Sequence, residues 1–140
     1  MIELLRGRVE SGENDASKWL TLFNAEYSRK LGIPVFPGSL NLRLDEPFNW
    51  LAPQYQPSII RFGQQEYGGE RDILLLRCIL VSLGRRPAFL WGPIHPTLGA
   101  GTGRVVEIVA DVKLRDAYGL TDGTLVEVEL NLSTTGEVHS

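Results

Sequence analysis

The chain opens on an alternation of period two. From Ile2 to Ser11, Leu5, Gly7 and Val9 fall on one face and Arg6, Arg8 and Glu10 on the other, as in a half-buried strand. The period then changes. Trp19, Leu20, Phe23, Tyr27 and Leu31 recur at spacings of three and four, which predicts a helix. Asp15 or Ser17 suits its N-cap, Gly32 its C-terminal stop, and Pro34 forbids continuation. Period two returns at Ser39 to Leu44: Leu40, Leu42 and Leu44 face a core, while Ser39, Asn41 and Arg43 face away. Residues 45–57 carry Pro47, Pro53 and Pro57, and the expectation is an irregular excursion.

Further strands are predicted at Ser58 to Phe62, Asp72 to Val81, Ala88 to Trp91, Val105 to Ala110 and Leu125 to Leu130. Pro93 to Gly103 reads as a glycine-bearing loop, and Lys113 to Tyr118 as a short helical turn stopped by Gly119. Strands follow one another without the intervening helices of a doubly wound sheet. The pattern therefore predicts a mainly β fold: a small, mostly antiparallel barrel with one longer and one short helix.

Composition narrows the function classes. With 140 residues, of which 1–131 read as a single domain and 132–140 as a flexible tail, the chain can bury one core. A net charge of −3 lacks the basic footprint of non-specific nucleic-acid binding. The apolar runs are too short to span a bilayer, and the first residues do not read as a signal peptide. The single cysteine, Cys78, excludes an internal disulfide and a cysteine-based zinc site, which suits a reducing cytoplasm. The expected partners are thus small molecules, not nucleic acid or membrane.

Three constellations carry chemistry. Ser39 and Asn41, two apart on a strand, project a hydroxyl and an amide carbonyl on one face. Such neutral oxygens suit Mg²⁺ when phosphates supply the charge; the same pattern also suits a solvated strand face. Glu107 lies amid Val105, Val106, Ile108, Val109 and Ala110, a setting that marks either a functional carboxylate at a barrel mouth or an edge residue facing water. Val112, Lys113, Leu114 and Arg115 place two cations at the start of a short helix, where anions or plain solvent are the alternatives. No Walker phosphate loop, nucleophile elbow or metal-spaced histidine pair occurs; His95 and His139 are far apart.

The blocks Gly7-x-Val9-x-Ser11-Gly12, Leu31-Gly32-Ile33-Pro34-x-x-Pro37-Gly38-Ser39-Leu40-Asn41-Leu42, Val106 to Ala110 with Leu114-Arg115, and Leu120-x-Asp122-Gly123 resemble those of the CTP-dependent riboflavin kinases, a mainly archaeal family. The resemblance runs from about residue 5 to residue 130. It implies a six-stranded cradle-loop barrel that transfers the γ-phosphoryl of CTP to the 5′-hydroxyl of riboflavin, giving FMN and CDP. By the family pattern, Ser39 and Asn41 hold Mg²⁺, and Glu107 and Thr97 contact the flavin. Nucleotide binding falls to Gly12, Glu13, Asn14, Asp15, Ala16 and Ser17 together with Val112, Lys113, Leu114 and Arg115. From the chemistry of phosphoryl transfer, Glu107 and Asn41 are the candidate catalytic residues. Three features depart from the pattern: acidic Glu13 and Asp15 in the first nucleotide loop, a long Pro93 to Gly103 loop, and Asp111 where Pro is usual. The alternative is a barrel that binds flavin or nucleotide and has lost transfer. A transcription-factor-like relative is disfavoured by the net charge.

Overall fold

The computed structural model describes residues 2–11, 24–36, 38–50, 52–55, 57–62, 71–93 and 102–132. Among the described residues seven strands follow in chain order: β1 (Ile2–Glu10), β2 (Leu40–Asn49), β3 (Ser58–Phe62), β4 (Arg71–Leu80), β5 (Arg86–Pro93), β6 (Thr102–Val109) and β7 (Leu125–Asn131). Helix α1 (Asn24–Leu31) precedes β2, and α2 (Leu114–Tyr118) lies between β6 and β7.

The strands pair antiparallel in the order β3-β4-β5-β6-β2-β1-β7, and a further β4–β7 pairing closes the sheet on itself. Closure is possible because one edge of β4 is shared between two partners. Residues 71–75 pair with β3, whereas Ile79 and Leu80 pair with Glu129 and Val128 of β7. The result is a closed barrel of six strands, each with a partner on both sides, and β3 pairs with the start of β4.

Alternation places the core as the sequence pattern requires. Val9, Leu40, Leu42, Leu44, Leu80, Leu90, Val106, Ile108, Val126, Val128 and Leu130 fill the interior, and most are fully buried. Leu132, placed by sequence in the tail, is buried in this same core; residues 133–140 lie outside the described residues. Gly7 faces inward where β1 crosses close over β2. A Cβ there would stand 2.6 Å from the Arg43 carbonyl oxygen and 2.9 Å from Leu42 Cγ.

A second, smaller core lies outside the barrel wall. Ile73, Leu75, Phe89, Trp91 and Val109 project outward and are covered by Val35, with Leu31 and Ile33 packed against them. Of the predicted helix stripe, Leu31 packs here, while Trp19, Leu20 and Phe23 lie outside the described residues. Gly32, at φ 75°, ends α1 with its N–H on the Ser28 carbonyl. Asn24 Nδ2 then donates to the Val35 carbonyl at 2.7 Å, and the Val35 N–H donates to Ser28 Oγ at 3.1 Å. The Phe36 N–H reaches the Ala110 carbonyl at 2.9 Å, which stitches the approach to β2 onto the end of β6.

The main departure from the sequence reading is at residues 45–57. β2 does not stop at Leu44 but continues through Pro47 to Asn49. Its register against β6 shifts between Arg43 and Phe48, an irregularity that accommodates a residue with no N–H to donate. Phe48 and Trp50 then return to the core, stacked edge to face at 5.2 Å. The predicted Pro93–Gly103 loop is also trimmed by the sheet, since Pro93 ends β5 and β6 begins at Thr102.

Candidate active site

Register brings the separate sequence candidates together. Asn41 is the direct partner of Glu10 on β1 and of Glu107 on β6, and Glu107 in turn is opposite Trp91 on β5. Val106 and Ile108 point into the barrel, so Glu107 projects from its outer wall, not from the interior of a mouth. Ser39, at the entrance to β2, donates its hydroxyl to Glu107 Oε1 at 2.9 Å. These residues are 68 apart in sequence. A hydroxyl, an amide and a carboxylate, all half-buried, therefore share one patch.

A pocket of about 490 Å³ opens beside this patch at the end of the barrel. Ser39 and Asn41 form one wall; Val112, Lys113, Leu114 and Arg115 form another; Glu10 and Ser11 close it from β1. Its floor is apolar, made by Phe36, Leu40, Ile108 and Ala110. All four residues of the predicted cationic segment thus line the pocket that the predicted metal candidates line. Glu10 and Phe36 are not singled out by the sequence, and Ser11 enters there only within the Gly7-x-Val9-x-Ser11-Gly12 block. Glu10 alternates with Arg8 as an ordinary surface charge would, and only its register opposite Asn41 brings it to the site.

Charges around the pocket are arranged in pairs. Glu10 accepts from Arg43 Nε at 2.8 Å. Lys113 Nζ lies 3.7 Å from Asp116. Arg115 donates to Asp122 Oδ1 at 2.7 Å, and the Ser11 hydroxyl donates to the same carboxylate at 2.9 Å. The Arg115 bond foremost, then the Ser11 bond, hold the Asp122 carboxyl below the ordinary carboxylate value. Asp122 thereby ties the end of β1 to α2 from behind the pocket wall. Leu114 is buried in the barrel core and anchors α2, while Gly119 ends it in a left-handed conformation at φ 61°.

Ser39 and Asn41 both line the pocket and carry hard oxygen donors, a hydroxyl and an amide carbonyl, and Glu107 accepts the Ser39 hydroxyl. This donor set fits a divalent cation that receives most of its charge compensation from phosphates. Among the described residues no group of three or more His, Cys, Asp or Glu is assembled to hold a metal ion by itself. Cys78 is buried, and burial pushes its thiol up to about 12, so it is inert packing. Candidates at 12–17 and at Thr97, with His95 and His139, lie outside the described residues.

A family model named for CTP-dependent riboflavin kinases, with the description "Domain of unknown function DUF120", matches residues 9–130. The chain belongs to this riboflavin kinase family. Among curated relatives it is 32% identical over 130 residues to a riboflavin kinase of Methanocella arvoryzae, covering 91% of this chain and 56% of that one. A riboflavin kinase of Pyrobaculum arsenaticum is 34% identical over 143 residues, covering 91% of this chain and 60% of the relative. One from Aeropyrum pernix is 31% identical over 133 residues, covering 91% of this chain and 95% of the relative. The chain therefore spans a little over half of the length of the first two relatives and nearly all of the third. The family match spans β1 from Val9 through β7 to Leu130, so it takes in every residue that lines the pocket.

Proposed function

We propose that the protein is a riboflavin kinase that takes its phosphoryl group from CTP. The observation that carries this reading is the Ser39–Glu107 hydrogen bond on the rim of the 490 Å³ pocket. It joins a candidate cation ligand to a candidate base beside a pocket whose volume suits a small-molecule ligand. Membership of the family supplies the substrate class.

In the proposed reaction the ribityl 5′-hydroxyl oxygen attacks the γ-phosphorus in line. The bond from that phosphorus to the β-phosphate oxygen breaks, and CDP leaves. Transfer of this kind needs positioning and charge compensation more than covalent help. Lys113 and Arg115 on the pocket wall offset charge on the nucleotide phosphates. Glu107, already an acceptor for one hydroxyl, is oriented to accept the proton of the ribityl hydroxyl. Mg²⁺, when held by Ser39 and Asn41, supplies neutralisation of phosphate charge. Among the described residues no helix is long and apolar enough to cross a membrane.

Incubation with riboflavin, Mg²⁺ and each of CTP, ATP, GTP and UTP, followed by chromatography, tests the proposal. FMN and CDP should accumulate in equal amounts with CTP and far more slowly with the others. Tight flavin binding without FMN from any nucleotide would instead support a binding barrel that has lost transfer.

A further inference from the structure

The connection from β6 to β7 bears the cationic wall of the pocket, yet it is mostly an exposed excursion at the barrel end. Between Asp111 and Leu120 its backbone bonds are local: Asp116 and Ala117 donate to the Lys113 carbonyl, and Leu120 to the Arg115 carbonyl, while the bonds to other elements lie beyond those limits, Phe36 on Ala110 and Gly123 and Thr124 with Val9. One side chain from elsewhere grips it at both ends. Arg86, the first residue of β5, donates through Nη1 to Asp111 Oδ1 at 2.6 Å, just before the pocket-lining stretch. The same guanidinium donates through Nε to the Tyr118 hydroxyl at 2.5 Å, just after it, and lies over the Tyr118 ring at 5.5 Å. Arg86 does not line the pocket.

We infer that Arg86 is a positioning residue for nucleotide binding, a clamp that holds the Val112–Arg115 wall at the spacing the phosphates need. The inference rests on the nucleotide reading of the pocket. Three features support it. A guanidinium is a rigid planar fork, so bonding Asp111 and Tyr118 together fixes the separation of the two ends as well as their positions. Both anchor residues lie outside the stretch that lines the pocket, so the clamp itself does not engage Lys113 or Arg115. The Tyr118 hydroxyl bond, then the Asp111 bond, raise the Arg86 pKa, so its charge persists at any pH of interest. Ordering of the wall before the ligand arrives lowers the entropy that binding must otherwise supply.

The test is calorimetric titration of CTP and, separately, of riboflavin into wild type, Arg86→Gln, Arg86→Lys and Tyr118→Phe, with Lys113→Glu/Arg115→Glu as reference. Arg86→Gln should weaken CTP binding about five- to tenfold, roughly 1–1.4 kcal/mol, with riboflavin affinity within twofold of wild type. Arg86→Lys should recover only part of the loss, because a point charge cannot fork between two partners. Tyr118→Phe removes one arm and keeps the ring; it should give a smaller loss of the same kind and serves if Arg86→Gln does not fold. Unchanged CTP affinity in Arg86→Gln, or equal losses for both ligands in Arg86→Gln and Tyr118→Phe, would overturn the clamp while leaving the pocket assignment intact. If the charge-reversed reference variant binds CTP like wild type, the nucleotide reading fails and the clamp fails with it.

Discussion

Replacing Glu107 by Gln separates shape from charge at the point where the site is most constrained. The amide keeps an oxygen that still accepts the Ser39 hydroxyl, now 2.9 Å from Glu107 Oε1, so the local geometry survives. What is lost is the charge on the acceptor. A hydrogen bond to a charged group contributes about 1.5–3 kcal/mol against roughly 0.5–1.5 for a neutral one. Because Glu107 is only half-buried, solvent screening brings the difference to about 1 kcal/mol or less. Unfolding temperature should therefore fall by no more than about 4 °C. Turnover faces a different demand, because an amide cannot accept the proton of the attacking hydroxyl. Loss of a general base lowers rate by about 10²–10⁴, equivalent to roughly 3–5 kcal/mol of barrier. The diagnostic is the gap between a small stability change and a large rate change. Thermal unfolding and FMN formation followed by chromatography, on the same preparation, read both. A rate within a few-fold of wild type refutes the base assignment. A rate that falls only in step with the folded fraction shows Glu107 to be structural.

Charge reversal in Lys113→Glu with Arg115→Glu should weaken CTP binding at least tenfold and riboflavin binding much less, as read by calorimetry with each ligand alone; equal losses would move the nucleotide away from this wall. Gly7→Ala drives a Cβ to 2.6 Å from the Arg43 carbonyl oxygen, part of a paired strand that cannot move independently. Overpacking of this kind should cost about 3 kcal/mol, and an unfolding temperature equal to wild type would contradict the close crossing of β1 and β2. The Asp122 carboxyl is held below its unfolded value, so its bonds to Arg115 and Ser11 contribute stability above that unfolded value and lose it as pH falls through the folded one. Asp122→Asn should thus be less stable than wild type at pH 7, and the difference should shrink below about pH 4; a constant difference across that range would refute the assignment.

The barrel was legible because its strands are half-buried and carry period two. Leu40, Leu42 and Leu44 point inward in the structure as the alternation requires, and so do Val106 and Ile108 around Glu107. Pro47 misled the reading of β2, because a proline signals a strand's end when neighbouring strands are unknown. Here the register shift against β6 absorbs it. The site was legible residue by residue but not as an assembly. Ser39 and Asn41 stood out by spacing and Glu107 by its apolar neighbours, whereas their meeting depends on β2 pairing with β6, which no local pattern encodes. Glu10 and Ser11 joined the pocket for the same reason. Arg86 was the least visible: in sequence it is one of two arginines after a glycine turn, and its reach to Asp111 and Tyr118 exists only once β5 lies beside the end of β6.

The central claim is that Ser39, Asn41 and Glu107 form one phosphoryl-transfer site with the pocket they border. Transfer of label from γ-³²P CTP to riboflavin, compared between wild type and Ser39→Ala/Asn41→Ala, tests it most directly. Both side chains face away from the leucine side of β2, so the variant should unfold near the wild-type temperature. In the presence of Mg²⁺ the label should appear in FMN with the wild type and be absent with the double variant, which should still bind riboflavin. Label in FMN at the wild-type rate from the folded double variant would contradict the account.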